Sequence, residues 1–499
     1  MYVTLNFDVE DTVYPADAGI DAIPGWIAQT LTELGLRGTF HVIGDKARSM
    51  RQRGANPVIA AMTEHDIGIH TDSNNHPLVP ELVQDAGWAD GVATLVDYER
   101  RATQAIKEAF WKGPVATSRH AVFTSPHSFG AAAEMGLPYV YGWPHCPGHA
   151  GPVWYAGALV FPTRGQASPD GPSCYLSLGI EPALSHDDVF AQKMARLAEE
   201  LDRRVATGIE CLTLFLGHPV RIRSKGWTED FLYANGRNRT VEELGFAYEL
   251  KTPHLVDHAK RNFRRLCQYL RGREDCQVVG MARAAELFAP QPTHVSRDAL
   301  FAYCTGGEEA GQPRLDPHFS PAELLTALCE TLLAEDERGA LPRAVERRPV
   351  IGPVDKPVLM PERPFVSRQE FLHLCTQLAD HVRDSGHLPA NATVEEDRVG
   401  ISSLHAACVS SFVAACRGER AQRLRLERQP RYPAVAAAMD REMGWLEESS
   451  FFGPEFSAEK LRLHARLQTW SLKPARSTVG SGPYHEACGL VPHHLVSQR

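Results

Sequence analysis

The stretch that decides the fold joins a short apolar segment to two histidines and a proline, and it reads Glu64-His65-Asp66-Ile67-Gly68-Ile69-His70-Thr71-Asp72-Ser73-Asn74-Asn75-His76-Pro77. Its apolar residues alternate up to His70, a pattern typical of a strand, and His76 follows in the next loop. Two imidazoles placed in this way can both turn towards one divalent cation. The chain contains 22 histidines, so the pair by itself also fits two unrelated side chains.

Carboxylates at the start of the chain favour the metal interpretation. Residues 3–9 predict a strand, and Asp8, Glu10 and Asp11 lie at or just beyond its end. An acid pair with two histidines can hold a cation and leave positions for water and substrate. The same acids also fit helix-capping or solvated side chains.

Two further predicted strands end in polar residues. Ser118-Arg119-His120 ends a middle strand, and His218 follows the strongly apolar segment 211–216. A second carboxylate beside a metal can act as the base for water, and a protonated histidine can donate to a leaving group. The residues therefore predict metal-assisted hydrolysis of an acyl or amide bond. His218 also fits a core histidine, and for His41 and His120 a structural role is favoured.

Strand-like and helix-like segments alternate over roughly residues 1–290. This alternation predicts βαβ units, and about seven such units suit a closed barrel, whose functional groups gather at the carboxyl ends of the strands. After residue 290 the composition changes, and residues 291–499 predict a mainly α-helical C-terminal domain of unknown role. Two similar segments, 294–301 and 365–372, each place a Ser before an apolar helix. They fit either an internal repeat or common capping chemistry.

Composition excludes several classes of protein. The net charge of -9 over 499 residues argues against a nucleic-acid partner. No apolar run approaches the roughly 20 residues of a membrane span. The N-terminus starts as a strand, with no visible signal peptide, so we expect a cytoplasmic protein. The 11 cysteines are scattered and predict reduced, mostly buried thiols.

Three segments together resemble a known family. Residues 6–11, 38–44 and 65–71, closed by His76-Pro77, are similar in order and spacing to the motifs of the NodB-homology polysaccharide deacetylases. The resemblance covers roughly residues 1–290. It implies an α/β fold, namely a distorted (β/α)7 barrel that binds a divalent metal, usually zinc. It also implies an enzyme that removes acetyl groups from N-acetylated sugars.

The resemblance also implies roles for individual residues. Asp8 matches the catalytic base, His218 the catalytic acid, and Arg119 the arginine that orients the base. A small-molecule or oligosaccharide substrate follows from this assignment, and the oligomeric state is left open.

The metal ligands implied are His70, His76 and a carboxylate. Glu10 is the favoured carboxylate and Asp11 its substitute, since one residue separates Asp8 from Glu10 where the family has adjacent aspartates. The two histidines lie six positions apart, whereas in the family they commonly lie four apart. A longer loop must therefore return His76 to the metal.

A basic and aromatic loop follows closely after His218. Arg221, Arg223, Trp227 and Tyr233 are its candidate substrate-binding residues, because guanidinium groups bind anions and aromatic rings stack on sugar rings. A solvated basic loop is the alternative. Two rival functions stay open: hydrolysis of a non-sugar C–N bond, as in a ureide, on the same barrel, and a catalytically degenerate sugar-binding or scaffold protein.

Overall fold

One large curled sheet occupies the first part of the chain. The structure is a computed structural model, which describes residues 1–73, 77–119, 124–226, 248–306, 311–358, 363–426, 432–433, 435–449 and 452–477. The strands of this part are Tyr2–Val9 (β1), Gly38–Val42 (β2), Asp66–Ile69 (β3), Thr117–Ser118 (β4), Tyr139–Gly142 (β5), Val153–Tyr155 (β6), Ala158–Pro162 (β7), Tyr175–Ser177 (β8), Cys211–Gly217 (β9) and Gln277–Val279 (β10). They pair in the order β7-β5-β4-β3-β2-β1-β9-β8, and every pair in that path is parallel.

The sheet curls into a distorted barrel. β10 pairs with the beginning of β1, and β6 runs antiparallel on the outer side of β7. Among the described residues no ladder joins β7 to β8, and the segment that connects them contains one antiparallel bridge of its own, Gln166 to Ser173. The predicted class, a distorted β/α barrel, is confirmed.

Helices connect successive strands and cover the sheet. In this part they are Ala22–Glu33 (α1), Gly44–Gln52 (α2), Asn56–Thr63 (α3), Val79–Val83 (α4), Trp88–Phe110 (α5), Pro126–Glu134 (α6), Ile180–Ala183 (α7), Asp187–Ala206 (α8), Pro253–Arg271 (α9) and Met281–Phe288 (α10). In α5 the buried residues Leu95, Ala102, Ile106 and Phe110 lie on one helical face, which explains why the pattern predicts a helix there.

Alternation along β1 directs its polar residues to one side of the sheet. Leu5 and Phe7 belong to the apolar core that includes residues of the surrounding helices. Asn6 and Asp8 alternate with them and contact side chains of other strands instead, as described below. Because neighbouring residues of a strand point to opposite faces, the apolar outer side of β1 fixes where its acids lie.

The C-terminal region, which in the predicted division begins at residue 291, is mainly helical as predicted, with short strands between the helices. Its helices are Arg297–Thr305 (α11), Pro321–Arg338 (α12), Arg368–Ser385 (α13), Ile401–Cys416 (α14), Ala436–Glu448 (α15) and Glu459–Leu467 (α16). Its strands are His294–Ser296 (β11), Ala344–Glu346 (β12), Phe365–Ser367 (β13), Asn391–Val394 (β14), Asp397–Gly400 (β15), Arg423–Arg425 (β16) and Lys473–Pro474 (β17).

The two similar sequence segments open two units of the same construction. In each unit a strand leads into a helix, a second helix follows, and a closing strand pairs antiparallel with the first: β11 with β12, and β13 with β16. The hydroxyl of Ser296 accepts from the amide of the third residue after it, and Ser367 does the same. Capping chemistry alone does not produce the matching strand pairs, so the structure favours an internal repeat.

The end of the described chain returns to the barrel. Residues of α15 and α16 share an apolar core with Trp88, Phe129 and Tyr155, and the Tyr155 hydroxyl donates to the Ala465 carbonyl at 2.9 Å. β17 pairs antiparallel with β6 of the barrel. The predicted division at residue 290 stays a prediction, and residues 436–474 contact both of its parts.

Three buried cysteines meet in the core of the C-terminal region. The Sγ atom of Cys408 lies 3.7 Å from that of Cys329 and 3.9 Å from that of Cys375, a grouping that could ligate a metal. Their neighbours are leucines and phenylalanines. Three thiolates around one divalent ion would still leave a net negative charge in this apolar core, so core packing of the three side chains explains the group better.

None of the described helices combines the length and apolarity needed to cross a bilayer.

Candidate active site

Buried carboxylates lie at the carboxyl end of the central strand β1. Asp8, Glu10 and Asp11 are each 5% exposed or less. The Asp11 carboxylate lies 3.3 Å from the ammonium group of Lys46, which also contacts Asp21 at 2.6 Å. Asp11 thus belongs to a buried ion-pair network, which favours Glu10 over Asp11 as a metal ligand.

His70 faces the other two carboxylates. Its Nε2 lies 3.6 Å from an oxygen of Asp8 and 3.6 Å from an oxygen of Glu10. The hydroxyl of Ser118 donates to the Ile69 carbonyl at 3.3 Å, so it is placed to accept from Nδ1–H of His70 at 2.8 Å. This network assigns the ring proton to Nδ1 and turns the lone pair of Nε2 towards the carboxylates.

His218 lies on the other side of Glu10. Its Nε2 is 3.1 Å from Glu10, and its Nδ1 is 3.6 Å from Glu181. Burial by itself would lower the pKa of His218, but the contacts with Glu10 and Glu181 and the charge of Asp8 outweigh burial and raise the pKa to about 10. His218 is therefore an imidazolium at neutral pH in the metal-free protein.

Glu181 is a site residue that the sequence did not reveal. It lies in the short helix α7, and burial, which would raise its pKa, is outweighed by His218 and Arg221, which hold the pKa below its usual value. Gly217 has φ +91, and a Cβ on it would lie 2.1 Å from the Glu181 side chain, so a glycine is needed here. A lone acid in a Gly- and Pro-rich segment carries no local signal of this role.

The surroundings of Asp8 strongly perturb its pKa. Burial raises its pKa well above the usual range; the charge of His218 opposes this, while Glu10 and Glu181 add to it. Its Oδ1 is buried and has no hydrogen-bond partner among the residues that the structure describes. A buried carboxylate oxygen in this state is one that a cation or an ordered water would satisfy.

Arg119 does not contact Asp8 among the described interactions. It lies buried on the chain just after β4, and its Nε donates to Glu99 of α5 at 2.9 Å, with a second contact from its Nη2. The predicted role of Arg119 in orienting the base therefore stays a prediction. The Nε2–H of His41 donates to the amide oxygen of Asn6 at 3.1 Å, and burial lowers the pKa of His41 to about 3, as in a neutral core histidine.

The predicted substrate-binding residues lie only partly within the described chain. An Arg221 nitrogen lies 4.0 Å from Glu181, and its side chain is 31% exposed, so it borders the site. The Arg223 guanidinium instead donates to the Ala18 carbonyl. Trp227 and Tyr233 lie outside the described residues, as do His76 and His120.

The residues present fit a divalent metal. Donor atoms 3.6 Å apart, such as Nε2 of His70 and an oxygen of Asp8 or Glu10, can share an ion bonded at ~2.1 Å to each. The tautomer of His70 and the unsatisfied oxygen of Asp8 agree with a cation between them. Glu10 and His70 would hold it, and Asp8 lies within reach of the same position.

Sequence comparisons return no match: no protein-family model matches the chain, and no curated protein does. Solved structures do resemble it. One is a family 4 acetyl xylan esterase from Clostridium thermocellum in complex with a cobalt ion, with 15% identity, 58% of this chain and 92% of that chain covered, and a TM-score of 0.29. Another is a peptidoglycan deacetylase from Bacillus subtilis, with 12% identity, 57% of this chain and 90% of that chain covered, and a TM-score of 0.27.

A third is an allantoinase, with 12% identity, 57% of this chain and 89% of that chain covered, and a TM-score of 0.32. The chain is therefore similar, at low identity, to structures of carbohydrate esterases and deacetylases, the class that its N-terminal motifs resemble, and to an allantoinase.

Proposed function

We propose that the protein is a metal-dependent hydrolase that removes the acyl group from an N-acylated sugar or a related amide. The observation that carries this proposal is the convergence of Asp8, Glu10, His70 and His218 inside the barrel. These residues lie at or just after the ends of three different strands, and they bring two carboxylates and an imidazole lone pair together beside an imidazolium.

Asp8 and His218 divide the proton transfers. Asp8 takes the proton of the attacking water, and His218, already protonated, gives its proton to the departing amine. Glu181 is a positioning residue that contacts the far nitrogen of the His218 ring and stabilises the imidazolium. The pKa of Asp8 is high in the metal-free protein, and positive charge nearby would lower it enough for Asp8 to act as a base.

Glu10 and His70 would hold the cation, with His76 as a further ligand. When bound, a divalent ion polarises the acyl oxygen and lowers the pKa of water. Two nitrogen donors with one carboxylate suit zinc, and we propose zinc as the resident ion. Ser118 supports this set because its hydrogen bond fixes the His70 tautomer.

The experiment begins with purified protein and its metal content measured by mass spectrometry. Zinc-loaded protein is then incubated with acetylated chito-oligosaccharides and with acyclic ureides, and released acetate and ammonia are measured. We expect stoichiometric zinc and acetate release. Ammonia without acetate would favour the rival activity on a non-sugar C–N bond.

Matched variants separate a metal site from a structural effect. His70→Ala is expected to abolish zinc binding and activity, whereas His254→Ala, on the exposed surface of α9, leaves both unchanged. Glu10→Gln is expected to weaken zinc binding more than Asp11→Asn, because Lys46 already engages Asp11. Absence of stoichiometric metal, together with no effect of His70→Ala, would leave only the sugar-binding or scaffold function.

A further inference from the structure

The strand β5 ends in an irregularity centred on Tyr141. Val140 pairs with Phe161 and Gly142 with Pro162, so Tyr141 is an extra residue in β5 with no partner in β7. Its φ is +66, a conformation that aromatic residues rarely adopt. Bulges of this kind redirect a side chain, and backbone strain of this kind is concentrated at functional sites.

The redirected ring lies across the inside of the barrel. Its centroid is 5.5 Å from the ring of His41 in β2, 5.5 Å from Phe215 in β9 and 5.9 Å from Tyr175 in β8. These strands belong to different parts of the curled sheet. The Tyr141 ring is therefore held from several sides at the level of the carboxylates.

The hydroxyl of Tyr141 is buried and has no hydrogen-bond partner among the described residues. Tyr155, a buried tyrosine of the same sheet, donates instead to the Ala465 carbonyl at 2.9 Å. A buried hydroxyl normally finds a partner, because leaving it unpaired costs its desolvation. A phenylalanine would pack equally well against three rings, so packing does not explain the hydroxyl.

We propose that Tyr141 is a catalytic residue whose phenol donates a hydrogen bond to the carbonyl oxygen of the acyl group, next to Asp8. This role rests on the proposed hydrolytic function. It requires the substrate to bind with its acyl oxygen pointing towards Tyr141. As water adds to the carbonyl carbon, this oxygen gains negative charge, and the hydrogen bond becomes stronger. The proton stays on the phenol throughout, so Tyr141 is neither the acid nor the base.

The surroundings keep the phenol in the form that can donate. Burial raises the pKa of Tyr141 well above its usual value, and the nearby charge of Asp8 raises it further. The His41 ring, which packs against the Tyr141 ring, is neutral because burial lowers its pKa to about 3. It therefore adds no positive charge that would favour the phenolate form of Tyr141.

The test compares Tyr141→Phe with Tyr155→Phe in zinc-loaded, full-length protein. We expect Tyr141→Phe to lower kcat on an acetylated chito-oligosaccharide by on the order of 100-fold and to leave the thermal unfolding midpoint unchanged or raised. Tyr155→Phe loses a buried hydrogen bond, so it should lower the midpoint and leave kcat unchanged. Calorimetric titration with acetate, the expected product, measures the same contact without turnover, and Tyr141→Phe should weaken it about tenfold or more.

The outcomes distinguish the two proposals. Full kcat and full acetate affinity in Tyr141→Phe would overturn the role of Tyr141 while leaving the hydrolase intact. Acetate binding that depends on Tyr141 in a protein that hydrolyses no substrate would retain the contact and overturn the hydrolase. A lowered midpoint in Tyr141→Phe would show that its hydroxyl has a structural partner, and this too would overturn the role.

Discussion

Removing the hydroxyl of Ser118 should weaken zinc binding although Ser118 is not itself a proposed ligand. Ser118→Ala deletes the oxygen that lies 2.8 Å from Nδ1 of His70 and itself donates to the Ile69 carbonyl. The His70 ring then has a buried Nδ1–H without its acceptor, and the tautomer with the proton on Nε2 becomes accessible. That tautomer directs a proton, and no lone pair, at Asp8 and Glu10.

The magnitude follows from what the hydrogen bond supplies. Loss of a supporting partner of a metal-ligating histidine typically lowers metal affinity about 10- to 100-fold. At about 1.4 kcal/mol for each factor of ten, this is about 1.4 to 2.8 kcal/mol, in the range expected for orphaning one buried donor. Competition with a chromophoric zinc chelator measures the dissociation constant directly.

Thr117→Val is the matched control for this prediction. Thr117 precedes Ser118 in β4, is equally buried, and its hydroxyl has no partner within the described part of the chain. Its removal should leave zinc affinity unchanged. Wild-type affinity in Ser118→Ala, in a protein where His70→Ala abolishes binding, would refute the assigned tautomer.

Three other perturbations test the electrostatics. Glu181→Gln removes a group that holds the pKa of His218 high, so the alkaline limb of the kcat/KM profile should move to lower pH by on the order of one unit; an unmoved limb would contradict the assignment of His218 as the acid. Asp8→Asn should abolish activity yet raise the urea-unfolding free energy of metal-free protein by about 1 to 2 kcal/mol. This gain in unfolding free energy should grow as pH rises above the usual Asp range, because the folded wild-type protein binds the Asp8 proton more tightly than the unfolded protein does. A gain that does not change with pH would contradict the raised pKa of Asp8. Glu323→Gln removes the carboxylate that lies 2.8 Å from the buried Lys473, and it should cost about 3 kcal/mol by the same measurement; a cost below about 1 kcal/mol would mean that the pair is solvated.

Much of the barrel could be predicted because its central strands are long enough to show a pattern. β1, β2 and β9 are apolar runs with polar ends, and α5 repeats its apolar face over several turns. The strands that were not predicted, such as β8 and those of the C-terminal region, span only two to four residues. A period of two cannot be recognised over so few residues, and their pairing depends on distant partners.

The site was predictable where a residue lies at or just after the end of a recognisable strand. Asp8, Glu10, His70 and His218 satisfy this condition, and the structure brings them together. Glu181 does not, because the strand before it is three residues long. The partner of Arg119 was also beyond the sequence, since Glu99 is one of several acids on a long helix and only packing shows which face it presents.

The return of the last helices and β17 to the barrel has a consequence for how the protein folds. The hydrogen bond between Tyr155 and Ala465 joins residues that are 310 positions apart in the sequence. The Ser471 hydroxyl accepts from the amide of Ala156, which is 315 positions away. Contacts of such separation slow folding, because a long loop must close before they form. During synthesis, the apolar surface around Trp88 and Phe129 emerges hundreds of residues before the helices that cover it. We therefore expect slow maturation and dependence on chaperones, with the barrel among the last parts of the chain to become resistant to proteases.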